Sequence, residues 1–152
     1  RKVLFGKKIN IEFPGDALNS HGEATGELVG GNLSLLCNMM NSGSDFDYKS
    51  KILFIEDIDE YLYRIDRMLL QLKRAGCFNH IKGLLVGHFT DLKDNSEDPF
   101  GKDVNEIISE HFLEYKIPIA FGLPVGHDAV NYPLIIGREY TMKVDGQKAI
   151  LI

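Results

Sequence analysis

The 152-residue sequence contains no tryptophan, only two cysteines and only five prolines. Two cysteines cannot build the disulfide framework that staples small secreted domains. Cys37 and Cys77 each lie in or beside an apolar pattern of helical spacing. We interpret both as small core residues in a reducing compartment, although the sequence does not exclude a disulfide between them.

Long apolar runs and clusters of basic residues are also missing from the sequence. No run approaches the ~20 apolar residues that a membrane-spanning helix needs. The net charge is -5, with 17 basic against 22 acidic side chains. An acidic chain without a Lys/Arg cluster is not typical of proteins that bind nucleic acid or anionic membranes, so we expect neither partner.

The overall composition is that of a globular protein of about one domain. Hydrophobic residues make up 44% and charged residues 26% of the chain, and the mean hydropathy is -0.11. A chain of this length can bury a substantial core. Because the sequence begins at Arg1 rather than Met, we expect it to be a fragment of a longer polypeptide.

The rest of the sequence is organised around residues 51–76. An apolar run at 52–55 predicts a strand buried on both faces. Four acids follow within five residues, the first of them Glu56. Apolar residues at helical spacing then predict a helix that ends at Gly76, a natural C-cap. A strand that leads directly into a helix is half of a parallel βαβ unit.

Further apolar runs predict strands at residues 7–13, 84–86 and 117–121, and a hairpin formed by 139–144 and 147–152 around Asp145 and Gly146. Residues 16–26 are interpreted as a loop, and 27–29 as a short strand. Two helices are predicted by their N-caps, one beginning near Asn32 and one at Asp103, whose capping-box partner is Glu106. These elements predict an α/β fold, a small mixed-sheet domain.

Three ionisable side chains follow the ends of three predicted strands: Glu56, His88 and His127. If the strands are parallel neighbours, all three project from one edge of the sheet, where open α/β sheets bind ligands. Each also has a purely structural explanation, as a helix-entry acid, a solvated strand-end residue and a loop histidine. Gly30 and Gly31, ahead of Asn32, can either present backbone N–H groups to an anion or form a tight turn, and we favour the turn.

A carboxylate beside an imidazole is the acid–base half of a Ser-His-acid system. The sequence contains no G-x-S-x-G elbow that would supply the nucleophile. Two histidines and a carboxylate can also form a metal triad, but no H-x-x-x-H or H-x-H spacing supports one. From residue chemistry alone, the chain offers a base and its orienting acid without a partner for them.

Four sequence blocks resemble, in order and approximate spacing, the C-terminal domain of LD-carboxypeptidases. They are GELVGGNLSLL (26–36), KILFIEDIDEYLYRIDRMLLQLKRAG (51–76), IKGLLVGHFTD (81–91) and IPIAFGLPVGHDAVNYPLIIG (117–137). The family, also called muramoyltetrapeptide carboxypeptidases, includes the microcin C immunity peptidases. The resemblance extends from about Leu4 onward, and the combination of blocks is specific where no single block is.

The resemblance implies a fold like the swivelling β/β/α domain and a serine peptidase that uses a Ser-His-Glu triad without metal or cofactor. It assigns the glutamate to Glu56 and the histidine to His127, and it places the serine in a separate N-terminal domain. The implied reaction removes the terminal D-alanine from a murein tetrapeptide during cytoplasmic peptidoglycan recycling. The whole chain, 1–152, would then be a C-terminal domain that is inactive alone, and homodimerisation would be expected. A non-catalytic domain that binds murein peptides, and a metal hydrolase using His88, His127 and Glu56, remain alternatives.

Overall fold

A single seven-stranded mixed sheet forms the centre of the computed structural model, which describes residues 10–152. The strands lie in the order β1-β7-β6-β2-β3-β4-β5. Their bounds are β1 Ile11–Pro14, β2 Gly22–Asn32, β3 Ile52–Ile58, β4 Gly83–Thr90, β5 Ile119–Phe121, β6 Glu139–Val144 and β7 Lys148–Leu151. Residues 7–9 of the predicted first strand lie outside the described residues. The α/β mixed-sheet architecture predicted from the sequence is confirmed.

One half of the sheet is parallel and the other half is antiparallel. Strands β2, β3, β4 and β5 are parallel neighbours. Strand β2 also pairs antiparallel with β6, and β7 links β6 to β1. The carboxyl ends of four parallel strands therefore meet at one edge of the sheet, where the sequence predicted three.

The prediction that residues 16–26 form a loop is wrong for their second half. Strand β2 begins at Gly22 and pairs with β6 in the register Gly22 to Val144 through Glu27 to Glu139. Apart from Thr25, its first six residues are glycines, glutamates and an alanine, which have little intrinsic strand propensity. The antiparallel partner from the far end of the chain stabilises this strand, and local composition carries no sign of that partner.

Three helices cover one face of the sheet: α1 Leu33–Met39, α2 Leu62–Arg74 and α3 Val104–Phe112. Asn32 caps α1 through its side chain, and Asp103 and Glu106 form the predicted capping box of α3. Gly76 follows α2 with φ of 81°, as expected after a helix C-terminus. None of these helices, within residues 10–152, has the length and apolar character needed to cross a bilayer.

Apolar side chains form a core on each face of the sheet. The helix-side core joins alternate residues of β3 and β4, such as Ile55 and Val86, to the inner faces of the helices. The core on the opposite face includes Phe54 and Leu85 with residues of β1, β6 and β7. Strand β3 is thus buried on both faces, as predicted. Cys37 and Cys77 pack with the helix-side core, and both thiols are free.

Candidate active site

Glu56 lies inside a strand, whereas the sequence placed it just past a strand end. Strand β3 continues through Asp57 to Ile58, because β2 pairs with Glu56 and β4 continues the ladder from Asp57 to Ile58. Alternate residues of a strand share a face, so Glu56 points to the same side as Phe54, away from the helices. Its side chain is only 8% exposed. A carboxylate this buried needs partners.

An irregularity in the ladder between β3 and β4 lies directly beside Glu56. The register pairs Ile55 with Val86 and then Asp57 with Phe89, so Glu56 faces two residues of β4, Gly87 and His88. Such bulges are over-represented next to active sites, because they redirect a side chain. His88 therefore lies within β4 and not after it, which corrects the second strand end predicted from the sequence.

His127 provides the partner that Glu56 requires. It lies in the loop that follows β5, and its Nδ1 is 2.7 Å from the Glu56 Oε2. This distance is that of a hydrogen bond between an imidazole and a carboxylate. A carboxylate only accepts, so Nδ1 carries the hydrogen and donates it, and Nε2 of the neutral ring is left as an acceptor. The His127 side chain is 50% exposed, so a buried carboxylate holds an imidazole ring that solvent can reach.

Two glycines let the His127 loop approach β4 closely. A Cβ on Gly87 would lie 2.4 Å from the Val125 carbonyl oxygen and 2.8 Å from the Phe54 ring. Gly126 has φ of 136°, and a Cβ there would lie 3.1 Å from the His88 carbonyl oxygen. Side chains at either position would push the loop away from the sheet. The tripeptide Val-Gly-His occurs at 86–88 and again at 125–127. In each copy the glycine permits close contact with the backbone of the other segment.

Asp57, adjacent to Glu56, points to the opposite face and has a different role. It is 1% exposed, and its carboxylate accepts hydrogen bonds from the Asn32 side chain at 2.8 Å, the Ser34 N–H at 3.0 Å and the Ile58 N–H at 2.8 Å. The carboxylate thus lies at the N-terminus of α1, where a negative charge is favourable. Nothing in the spacing of the four acids at 56–60 indicates this structural role.

Gly30, Gly31 and Asn32 form the carboxyl end of β2, where Asn32 is in register with Glu56. The Asn32 side chain accepts from the Leu35 N–H at 3.2 Å and from the Ser34 hydroxyl at 2.6 Å. The predicted N-cap is therefore confirmed, whereas the tight turn favoured for Gly30 and Gly31 is wrong, because both residues belong to β2 and pair with Phe54 and Ile55 of β3. This segment lies at the same sheet edge as the acid–imidazole pair.

His88 does not join Glu56 and His127 in a common centre. Its Nδ1 lies 3.4 Å from an oxygen of Asp128 instead, a partner that the sequence did not predict. Within residues 10–152, no group of three His, Cys, Asp or Glu side chains is placed to hold a metal ion. The three residues weighed as a metal triad thus separate into a Glu56–His127 pair and a His88–Asp128 pair.

No nucleophilic side chain forms a hydrogen bond with the His127 ring within residues 10–152. The hydrogen bond recorded for the His127 ring in this part of the chain runs to Glu56. A cavity of about 770 Å³ lined by Tyr61, Tyr63 and residues 94–96 and 98–100 includes neither Glu56 nor His127. The His127 ring is half-exposed, and within residues 10–152 its Nε2 makes no hydrogen bond, an arrangement that can activate a hydroxyl brought to it from elsewhere.

Comparison with known proteins identifies a family. The LD-carboxypeptidase C-terminal domain family matches residues 25–142. The chain is 35% identical over 130 residues to a probable murein peptide carboxypeptidase of Bacillus subtilis, covering 86% of the chain and 40% of that relative. It is 30% identical over 137 residues to a murein tetrapeptide carboxypeptidase of Pseudomonas aeruginosa, covering 89% of the chain and 44% of the relative.

Solved structures agree with this assignment. The crystal structure of a muramoyltetrapeptide carboxypeptidase from Oxalobacter formigenes superposes with a TM-score of 0.87 at 31% identity, covering 99% of this chain and 51% of that one. The microcin C7 self-immunity protein MccF superposes with a TM-score of 0.76 at 20% identity, over 92% of this chain and 40% of that one, which shows likeness of fold alone. The chain thus spans about half or less of the proteins it matches.

Proposed function

The chain belongs to the LD-carboxypeptidase family, and we propose that it carries the acid and base of a serine-type peptidase. In this proposal Glu56 and His127 are the catalytic residues, and the substrate is a murein tetrapeptide from which the terminal D-alanine is removed. The observation that supports it best is the 2.7 Å contact between the buried Glu56 carboxylate and Nδ1 of the half-exposed His127. Two side chains 71 positions apart form the acid–base half of a triad.

The proposed reaction uses both nitrogens of the His127 ring. Nε2 takes the proton from a serine hydroxyl as the oxygen attacks the carbonyl carbon of the L,D peptide bond. The resulting imidazolium is stabilised by Glu56 through Nδ1–H, and it then gives the proton to the amine of the departing D-alanine. Water hydrolyses the acyl-enzyme by the same route, with His127 again acting first as base and then as acid.

The serine would come from a separate N-terminal domain of a longer polypeptide. Two observations support this origin of the serine. The chain covers only 40–51% of the length of its relatives, and within residues 10–152 no nucleophile forms a hydrogen bond with the His127 ring. Large apolar side chains are exposed in the His127 loop, Val130 at 57% and Tyr132 at 45%. Surfaces of this kind mark interaction sites, and a nucleophile domain docked there would cover them. The isolated chain would then be inactive, and this surface or a homodimer contact would promote self-association.

D-alanine release tests the proposal in the longer polypeptide that contains residues 1–152. Purified protein is incubated with murein tetrapeptide, and the D-alanine formed is quantified with a D-amino-acid oxidase assay. We expect activity in the unaltered protein that survives a chelator, and a loss of at least about a thousandfold in kcat for H127Q, because a triad member is removed. The matched control is H80Q, which changes an exposed histidine and should retain full activity.

Two outcomes would overturn the proposal. The first is a longer polypeptide that binds tetrapeptide but releases no D-alanine, which would instead support a non-catalytic binding domain. The second is activity that is abolished by chelation and restored by a divalent metal. Fractionation of the producing cells tests the further expectation that the protein works in the cytoplasm on recycled murein peptides.

A further inference from the structure

We infer that His88 and Asp128 form a positioning pair that holds His127 against Glu56. This inference rests on the proposed function and extends it to two residues that take no part in the chemistry. The His88 Nδ1 lies 3.4 Å from the Asp128 Oδ2, and Asp128 follows His127 directly in the chain. Two imidazole–carboxylate pairs therefore lie side by side, and only one of them includes the base.

The His88 nitrogen has a physical need for the Asp128 carboxylate. Nδ1 is shielded from solvent and has no hydrogen-bond partner among the described residues. A buried polar atom without a partner is costly, and an acid at this distance offsets part of the cost when the ring carries a proton. The His88 side chain is 22% exposed and Asp128 is 52% exposed. The attraction between the two side chains therefore holds Asp128, in the exposed His127 loop, close to His88, which is fixed in β4.

Two hydrogen bonds to backbone carbonyls also attach the His127 loop to β4. The His88 N–H donates to the Val125 carbonyl at 2.8 Å. The Thr90 hydroxyl donates to the carbonyl of His127 itself at 3.2 Å. Together with the side-chain pair, these contacts attach residues 125, 127 and 128 to alternate positions of one strand. Since β4 lies beside β3, which carries Glu56, the attachment fixes the distance between base and acid.

A purely structural surface pair would have a different consequence. Because the Asp128 carboxylate is half-exposed, water screens its attraction to His88 and the pair contributes little to overall stability, so removing it should barely change the unfolding transition. A positioning pair should instead change the hydrogen bond between His127 and Glu56. The hydrogen on Nδ1 of His127 reports on that bond directly, because it exchanges with water only when the bond opens.

The test is the solvent exchange rate of that hydrogen, measured by NMR on the ¹⁵N-labelled 152-residue chain. We compare the unaltered chain with D128N and H88N, and we use the assigned ring signals of His127. We expect exchange about two- to fivefold faster in both variants, as for loss of a partly exposed charge pair. The matched control is D66N, which removes the carboxylate 2.8 Å from His111 in another imidazole–acid pair, between α2 and α3. It should leave the exchange rate of His127 unchanged.

Circular dichroism melting accompanies each variant, so that loss of structure is not mistaken for loosening of the loop. Should one variant fail to fold, T90V removes the hydroxyl donor to His127 and supplies an independent test with the same expected direction. Unchanged exchange in every folded variant, or an equal increase in D66N, would overturn the inference.

The catalytic activity of the longer polypeptide provides a second, independent measurement. There D128N should lower kcat two- to fivefold with KM unchanged, because substrate binding does not require the pair. The NMR result does not depend on catalysis. An inactive longer polypeptide would therefore refute the proposed function while leaving the positioning role supported by NMR.

Discussion

Replacement of Asp57 by alanine is expected to destabilise the fold far more than any other change in the acidic block. The carboxylate is 1% exposed and accepts three hydrogen bonds. D57A removes the acceptor of three donors: the Asn32 amide and the Ser34 N–H at the start of α1, and the Ile58 N–H at the end of β3. The variant also removes a negative charge from a helix N-terminus.

The magnitude follows from these contacts. A buried donor left unsatisfied costs about 1–3 kcal/mol, and losing a negative charge at a helix N-terminus costs roughly 0.3–1 kcal/mol more. The half-buried Asn32 amide can turn toward solvent and regain a hydrogen bond to water. We therefore expect the free energy of unfolding to fall by about 3–4 kcal/mol. At about 2–4 °C per kcal/mol for a chain of this size, Tm should fall by roughly 10 °C.

Urea unfolding followed by circular dichroism measures this loss in the 152-residue chain. Two control variants are matched to D57A. D98A removes an exposed acid from the loop after β4 and should change the free energy of unfolding by less than about 0.5 kcal/mol. E56Q changes the neighbouring acid while keeping a hydrogen bond to His127 and should cost less than D57A. A D57A variant within about 1 kcal/mol of the unaltered chain would refute the assigned role.

Three further outcomes are expected. G87A should displace the His127 loop, because the added Cβ meets the Val125 carbonyl at 2.4 Å; faster exchange of the His127 Nδ1 hydrogen would be the readout, and unchanged exchange would contradict it. Burial raises the pKa of the Cys37 thiol to about 11, so iodoacetamide should alkylate it at pH 8 about two orders of magnitude more slowly than a free thiol. The alkylation rate of Cys37 should rise about tenfold per pH unit up to pH 10, and a rate that does not depend on pH would argue against the raised pKa. D103A should cost about 1 kcal/mol by removing the N-cap of α3, measured by urea unfolding, and a change below about 0.3 kcal/mol would argue against the capping box.

The sequence predicted elements whose causes are local. The strand at 52–55 and the helix after it follow from apolar spacing, and the capping box at Asp103 follows from residue types three positions apart. The hairpin around Asp145 and Gly146 is equally local. The prediction that Glu56 and His127 approach each other needed one more assumption, that their strands are parallel neighbours. The structure supports that assumption.

The features that the sequence did not predict depend on partners distant in the chain. Strand β2 begins at Gly22 because β6, more than a hundred residues later, pairs with it. Glu56 and His88 belong to strands because neighbouring strands extend alongside them, although acids are depleted in strands. The roles of Asp57 and Asp128 arise from contacts with Ser34 and His88, and nothing in the spacing of residue types indicates either contact.

The central claim is that Glu56 holds His127 ready to activate a hydroxyl from another domain. The most direct test is the kcat for D-alanine release by the longer polypeptide carrying E56Q, measured beside its unfolding transition. The account predicts a fall in kcat of about 10³- to 10⁴-fold, with a folded protein whose stability is within about 1.5 kcal/mol of the unaltered one. Full activity in E56Q would contradict the claim, since an acid that can lose its charge at no cost to kcat does not orient or stabilise the base.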